Sequence, residues 1–129
     1  MSQENVEIVR QAYAAPALLV DAPHVAQDAE FDFSDIYPDQ PVLRGAEEMR
    51  AFRETGPWGT SIRFEPERFF EVDVERVLAL VRVTAVGQGS LARVDTRVAH
   101  EFTVREGLIV RFKVHSDWSA ALEAAGLKE

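Results

Sequence analysis

The spacing of hydrophobic residues predicts a chain that starts with helices and continues as a sheet. Residues 2–14 place apolar side chains on one helical face, and glutamates near the start suit the positive end of a helix dipole. Residues 17–29 are alanine-rich and interrupted by proline, so we expect short helical segments there. Residues 30–44 alternate apolar and polar positions, which predicts an extended segment that turns at its prolines. Residues 46–54 return to helical spacing.

In the second half of the chain the pattern changes to a period of two, which is typical of strands. The four predicted strands are residues 61–74, 77–87, 92–105 and 108–116. Short turns separate them, so consecutive strands would pair as an antiparallel meander. A last helix is expected over residues 118–125, with Asp117 or Ser116 as its cap. These elements predict one α+β domain over residues 1–129, with helices packed against one face of a curved antiparallel sheet.

Composition narrows the classes of partner. The chain has 129 residues, with 14 Lys and Arg against 22 Asp and Glu and a formal net charge of −8. Nucleic acids bind through basic surfaces, so we expect no nucleic-acid partner. The absence of cysteine excludes disulfides, thiolate metal sites and cysteine nucleophiles. His24, His100 and His115 lack the short spacing of metal ligands, so we expect no metal and no cofactor.

The start of the chain does not resemble a targeting segment. Residues 1–7 are polar and acidic, whereas a signal peptide has a basic start followed by an apolar core. No apolar run approaches the ~20 residues of a membrane span. We therefore expect a cytoplasmic protein with no membrane partner.

Four segments of the chain resemble one family of small bacterial proteins. They are residues 4–13, 43–45 with 49–52, 98–112 and 121–127. The chain resembles the NTF2-like superfamily, in particular its SnoaL-like branch. The resemblance implies a cone-shaped fold in which the sheet wraps around helices and leaves a pocket at its open end. Members include ketosteroid isomerases, polyketide cyclases, dehydratases and non-catalytic binding modules, and because homodimers are common among them we expect a homodimer.

The same resemblance implies roles for three residues. Tyr13, late in the first helix, matches the tyrosine with which ketosteroid isomerases donate a hydrogen bond to the substrate oxyanion. His100 stands where those enzymes place a protonated aspartic acid as the second donor, so an imidazole N–H would replace it. Asp32 lies near the position of their catalytic base, although the match slips by one residue and Asp35 is the alternative.

The residues around these positions predict an apolar pocket for a small hydrophobic molecule. Besides Tyr13 and His100, we expect the pocket lining to contain Phe31, Phe33, Trp58, Val98 and Phe102. A carboxylate of Asp32 inside such a pocket would have its pKa raised by desolvation, which suits a general base.

Each candidate also has a purely structural interpretation. Tyr13 and His100 could be hydrogen-bonded core residues, and Asp32 could face solvent on an alternating strand. Three functions therefore stay open. The first is a cofactor-free isomerase, cyclase or dehydratase that acts on a small hydrophobic carbonyl compound by acid–base catalysis. The others are a module that binds a hydrophobic ligand without turnover, and a dimeric structural domain whose own side chains fill the pocket.

Overall fold

The computed structural model describes residues 2–14, 19, 24–40, 42–55, 61–87, 89 and 92–127, which contain three helices and six strands. The helices are α1 (Ser2–Ala14), α2 (Gly45–Thr55) and α3 (Trp118–Ala124). The strands are β1 (Val25–Asp32), β2 (Leu43–Arg44), β3 (Arg63–Glu71), β4 (Arg76–Val86), β5 (Arg93–Arg105) and β6 (Leu108–His115). The predicted α+β class is confirmed, and the boundaries of most elements differ from expectation by only a few residues.

One curved, unclosed sheet contains all six strands, in the order β2-β1-β6-β5-β4-β3. Strands β3 to β6 form the predicted antiparallel meander. Strand β1 is antiparallel to β2 but parallel to β6. The sequence pattern did not predict this parallel pair, because alternation specifies the face that a side chain takes and not the direction of the neighbouring strand.

The segment before β1 differs from the sequence-based expectation. The prediction of short helical segments over residues 17–29 is wrong for residues 25–29, because these residues belong to β1, which begins at Val25. Pairing with β6 outweighs the weak helix preference of the alanines, two of which are buried in the core. His24, directly before β1, has a φ of 65°. This left-handed conformation is incompatible with a right-handed helix at that position. Residues 15–18 and 20–23 lie outside the described part of the chain.

The sheet separates two apolar clusters. Side chains alternate along each strand, so every second residue faces the concave side, where α1 and α2 pack. The larger cluster lies on this side and includes Val9, Ala12, Phe31, Met49, Val81, Phe102 and Phe112. The smaller cluster lies on the convex side beneath α3 and consists of Leu78, Leu80, Ala99, Ala121 and Leu122. A pocket at the open end therefore has to form on the concave face.

The last helix begins and ends as its sequence predicts. The Asp117 side chain accepts a hydrogen bond from the backbone N–H of Ala120 at 3.0 Å, which makes Asp117 the N-cap. Gly126 has a φ of 77° and ends the helix with backbone hydrogen bonds of the Schellman type. The indole N–H of Trp118 donates to the carbonyl oxygen of Val98 at 2.7 Å, which fixes α3 against β5.

Candidate functional site

A cavity of about 380 Å³ lies on the concave face, between the sheet and α2. Its volume is near the lower end of the ~300–1,000 Å³ that is usual for small-molecule sites. The apolar residues of the described lining are Leu19, Phe33, Ile36, Met49, Phe52, Ile62, Phe64, Val83, Val94, Val98, Phe112 and Val114. The described lining residues with polar side-chain atoms are Tyr37, Arg53, Thr96 and His100. The cavity is therefore apolar with a few separate polar groups.

Strand β5 runs along the cavity from its open end to its closed end. Alternation brings Val94, Thr96, Val98 and His100 to the concave face. Thr96 is exposed to solvent, whereas His100 is only 1% exposed. Because an extended strand rises about 3.4 Å per residue, these two positions are roughly 13 Å apart along the strand. The cavity suits an elongated ligand with one end buried and the other near solvent.

An aromatic wall, formed by Tyr37, Phe52, Phe33 and Phe112, also lines the cavity. Successive ring centroids along this wall are 5.9, 4.8 and 5.9 Å apart, and the Phe112 ring lies 4.7 Å from the imidazole of His100. These separations are those of favourable aromatic pairs. A flat, ring-containing ligand would find similar contacts along the wall.

Tyr13 and His100 form a buried hydrogen bond at the closed end. The Tyr13 hydroxyl oxygen is 2.6 Å from Nδ1 of His100. The two rings are nearly parallel, with an interplanar angle of 3°, and Phe102 packs edge-on against Tyr13. Helix α1 supplies the tyrosine and β5 supplies the histidine, so this bond also joins the helix to the sheet.

Burial keeps both members of the pair neutral. Desolvation, with a smaller contribution from a charge on His115, lowers the pKa of His100 to about 3, and burial raises the pKa of Tyr13 well above its usual value. The Tyr13 O–H has no other acceptor among the described residues, and leaving it unpaired would cost about 1–3 kcal/mol. Nδ1 therefore accepts, and the imidazole proton is on Nε2. This N–H has no described partner, so a cavity ligand can accept a hydrogen bond from it.

The structure brings most of the predicted pocket residues together. The cavity lining contains three of them: Phe33, Val98 and His100. Three others that were expected in the lining are not among its described residues and belong to the core behind it: Tyr13, Phe31 and Phe102. Trp58 lies outside the described part of the chain. The expected pair of donors differs in one respect. The Tyr13 O–H donates to the imidazole, so only one donor of this pair, Nε2–H of His100, is left for a ligand.

Asp32, the predicted base, faces the convex side of the sheet. It pairs in register with Lys113, its Oδ1 accepts a hydrogen bond from the Ser34 N–H at 2.9 Å, and its Oδ2 lies 3.3 Å from the Arg111 guanidinium. The hydrogen bonds from Ser34, followed by the two cations, lower the pKa of Asp32, so the expected rise is wrong. Strand alternation is the reason, because the phenylalanines on either side of Asp32 take the concave face.

Asp35, the alternative base, also lies outside the described cavity lining. It is exposed, and its Oδ2 accepts a hydrogen bond from the backbone N–H of Ser116 at 2.8 Å, which lowers the pKa of Asp35. No carboxylate belongs to the described lining. The geometry thus joins the predicted tyrosine and histidine and leaves both aspartates apart from them.

Among the lining residues that sequence reasoning missed, three matter most for the chemistry of the cavity. Phe112 alternates with charged residues along β6, so its period-two pattern could have placed it on the inner face. Arg53 directly follows Phe52 within the predicted helix over residues 46–54. Tyr37 lies in the turn after β1, and the sequence carries no signal for the direction of its side chain.

No group of three or more His, Asp or Glu side chains that could hold a metal ion is found in the described ranges. None of the helices in those ranges is long and apolar enough to cross a membrane.

Solved structures share this fold over nearly the whole chain. An NTF2-like protein of unknown function from Burkholderia pseudomallei is 20% identical, with a TM-score of 0.71 over 93% of this chain and 95% of that one. A putative SnoaL-like polyketide cyclase from Jannaschia sp. is 16% identical, with a TM-score of 0.69 over 98% and 94%. A Mycobacterium tuberculosis protein in complex with estradiol-17β-hemisuccinate is 13% identical, with a TM-score of 0.68 over 90% and 95%.

No protein-family model matches the sequence, and no curated protein matches it. At the identities of the solved structures, the likeness shows the fold and does not by itself show an activity. The structural likeness extends over nearly the whole chain, in agreement with the resemblance that the four sequence segments carry. The chain therefore has the NTF2-like fold, which it shares with SnoaL-like and ketosteroid isomerase-like proteins.

Proposed function

We propose that the chain binds a small, mostly apolar carbonyl compound whose oxygen accepts a hydrogen bond from Nε2–H of His100. The observation that carries this proposal is a neutral histidine at the closed end of a mostly apolar cavity. A polar group at the buried end can fix the orientation of a ligand, because an acceptor that is buried there needs this donor to be satisfied.

Tyr13 strengthens this donor. Its O–H donates to Nδ1 of His100, and hydrogen bonds that follow one another polarise each other, so Nε2–H becomes a better donor. The apolar surroundings also make its attraction to a carbonyl oxygen stronger than it would be in water. The pair therefore suits an oxygen that carries partial negative charge.

Two further observations favour a ligand-based function. The Mycobacterium tuberculosis neighbour is in complex with estradiol-17β-hemisuccinate, and the Jannaschia neighbour is described as a putative polyketide cyclase. In this chain a cavity of about 380 Å³ remains open. That volume argues against the alternative in which the protein's own side chains fill the pocket.

A second candidate is cofactor-free acid–base catalysis on the same compound, as an isomerase, cyclase or dehydratase. A base would remove the proton next to the carbonyl, the electron pair would move onto oxygen, and His100 Nε2–H would stabilise the enolate. The Tyr13–His100 pair favours this candidate, because a neutral imidazole can polarise a carbonyl group. Since the described lining offers no carboxylate as the base, binding without turnover is the better supported function.

A matched pair of ligands tests the binding proposal. 2-Acetylnaphthalene is a flat ketone, and 2-ethylnaphthalene has the same outline without an oxygen. Isothermal titration should show that the wild type binds the ketone about tenfold more tightly. Tyr13→Phe should reduce this preference, and His100→Leu should remove it without weakening 2-ethylnaphthalene. Equal binding of both ligands by the wild type would contradict the proposal.

Deuterium exchange separates binding from catalysis. A protein that promotes enolisation would accelerate exchange of the acetyl protons of 2-acetylnaphthalene with D2O, as followed by NMR. His100→Leu would abolish that acceleration, whereas a binding module would give no acceleration at all. Binding without faster exchange would reject the catalytic candidate for this ligand class and leave the binding proposal intact.

The homodimer and the cytoplasmic location stay predictions, because neither follows from the geometry of one chain. Sedimentation equilibrium over a range of concentrations tests the first. Fractionation of cells that produce the protein tests the second.

A further inference from the structure

Arg53 is the one formally charged side chain in the described lining of the cavity. It lies in the last turn of α2, directly after Phe52 of the aromatic wall, and is half-buried. Phe52 contacts Tyr37, and the neighbouring lining residue Ile36 is 37% exposed. Arg53 therefore belongs to the open end of the cavity, whereas His100 belongs to the closed end.

Arg53 differs from the other half-buried arginines of the described chain. Arg76, Arg82 and Arg111 each pair with carboxylates, and Arg50 also has an interaction partner. The guanidinium of Arg53 has no hydrogen bond, ion pair or ring contact with another described residue. Half-buried guanidinium groups usually have such partners, because removing a charge from water is costly unless it is compensated.

The formal charge of the described cavity lining is opposite to that of the whole chain. The chain carries a net charge of −8, yet the described lining contains an arginine and no aspartate or glutamate. The other polar groups of that lining are the neutral His100 and the hydroxyls of Tyr37 and Thr96. An anion at the cavity mouth would therefore meet one positive charge and no carboxylate among the described lining residues.

We propose that Arg53 binds a carboxylate at the open end, so that the ligand is a keto acid with an apolar body between its two polar groups. This inference rests on the proposed function, because it uses the same cavity and places the ketone oxygen at His100. The roughly 13 Å that β5 spans between Thr96 and His100 provides room for such a body.

A carboxylate fits this site better than a doubly charged group. The planar guanidinium of Arg53 can donate two parallel hydrogen bonds to a carboxylate, and the single charges then balance. A phosphate dianion would bring a second negative charge, for which the described lining has no second cation. The aromatic wall requires the rest of the ligand to be apolar and favours a flat one.

Titration with a second matched pair tests this inference. 6-Acetyl-2-naphthoate carries its ketone and its carboxylate at opposite ends of a naphthalene, and its methyl ester has the same skeleton without the charge. The wild type should bind the acid at least tenfold more tightly than the ester, because charge-assisted bidentate hydrogen bonds are stronger than neutral ones.

Three variants identify the source of the preference. Arg53→Gln should reduce the ratio of acid to ester affinity to about one, and Arg53→Lys should restore part of it. Arg63→Gln is the matched control, since Arg63 is an exposed arginine on the convex face and its removal changes the net charge equally. Arg63→Gln should leave the ratio as in the wild type.

The outcomes separate this inference from the proposed function. Equal affinity of the wild type for acid and ester would overturn the carboxylate site, while a preference for 2-acetylnaphthalene over 2-ethylnaphthalene would still support His100 as the donor. A loss of affinity for both acid and ester in Arg53→Gln would also overturn it, because it would mean that Arg53 serves through the packing of its stem or by stabilising the end of α2. Failure of all four ligands to bind the wild type would contradict both.

Discussion

Two histidines on neighbouring strands illustrate how differently the two faces of the sheet treat the same residue type. His100 on β5 faces the concave side, is 1% exposed, and bonds to the neutral hydroxyl of Tyr13. His115 on β6 pairs in register with Ala99, the residue that precedes His100 on β5. His115 therefore faces the convex side. There its Nε2 lies 2.9 Å from Glu101, which also lies 3.5 Å from Arg76.

The difference shows that alternation along a strand decides the chemistry of each side chain. On the convex face, water and nearby ions support charge, and the proximity of His115 lowers the pKa of Glu101. On the concave face, burial disfavours charge and keeps His100 neutral over the physiological range. The concave histidine is therefore a lasting N–H donor without a net charge, which is what a ligand cavity for a carbonyl needs.

The largest difference in unfolding free energy between the two faces is expected for substitutions of two neighbouring residues of β6. Phe112→Ala removes a 2% exposed ring from the concave core and should lower the free energy of unfolding by about 3–5 kcal/mol. Arg111→Ala on the convex face removes a side chain that is 40% exposed, and Asp32 keeps its hydrogen bond from Ser34, so the cost should be about 1 kcal/mol. Urea unfolding of both variants measures this, and equal losses would contradict the two-face account.

The pH dependence of stability should come next in size. His100 has a folded pKa of about 3 against roughly 6.5 when unfolded, so below about pH 6.5 only the unfolded chain takes up the proton. The contribution of His100 is complete above that pH and falls by about 2 kcal/mol between pH 6.5 and pH 5. Denaturant unfolding should show a shallower fall for His100→Leu over this interval. The same slope in both proteins would mean that His100 titrates normally when folded.

The Tyr13–His100 bond should show strong coupling between its partners. Tyr13→Phe leaves Nδ1 buried without its donor and should cost about 1.5 kcal/mol in the free energy of unfolding. The double variant Tyr13→Phe with His100→Leu removes both polar partners, so its loss should be smaller than the sum of the two single losses. A double-mutant cycle in urea measures the coupling, and strictly additive losses would argue against the bond.

The smallest effect is expected at Asp32. Asp32→Asn keeps an acceptor for the Ser34 N–H and removes only the attraction to the partly exposed Arg111 and to Lys113, so it should cost less than about 1 kcal/mol at pH 7. Because Asp32 faces the convex side, the affinity for 2-acetylnaphthalene should not change. A large loss of affinity in Asp32→Asn would restore the original interpretation of this residue as part of the pocket.

Much of this fold could be predicted from the sequence, because periodicity reports directly on burial. The meander, the first helix and the cap at Asp117 followed from local signals that the structure confirms. Residues 25–29 were predicted as helical because of their alanines, but they form a strand. The helix propensity of alanine is weak and is outweighed when a segment pairs with a distant strand such as β6.

The candidate site was predictable only in part. The alternation of β5 placed Val98 and His100 on one face, and the family resemblance added Tyr13. Neither could show that the tyrosine hydroxyl bonds to the imidazole, because that depends on how α1 packs across the sheet. A one-residue uncertainty in the match at Asp32 was enough to place its side chain on the wrong face of the sheet. For Arg53, the local sequence gives no sign that a cavity lies beside it.

The most direct test of the central claim is the infrared carbonyl stretch of bound 2-acetylnaphthalene labelled with carbon-13 at its ketone. If Nε2–H of His100 donates to the ligand, the stretch should move to lower frequency in the wild type than in an apolar solvent. The shift should shrink in Tyr13→Phe and vanish in His100→Leu. A bound ligand with no shift in the wild type, or with the same shift in His100→Leu, would contradict the account.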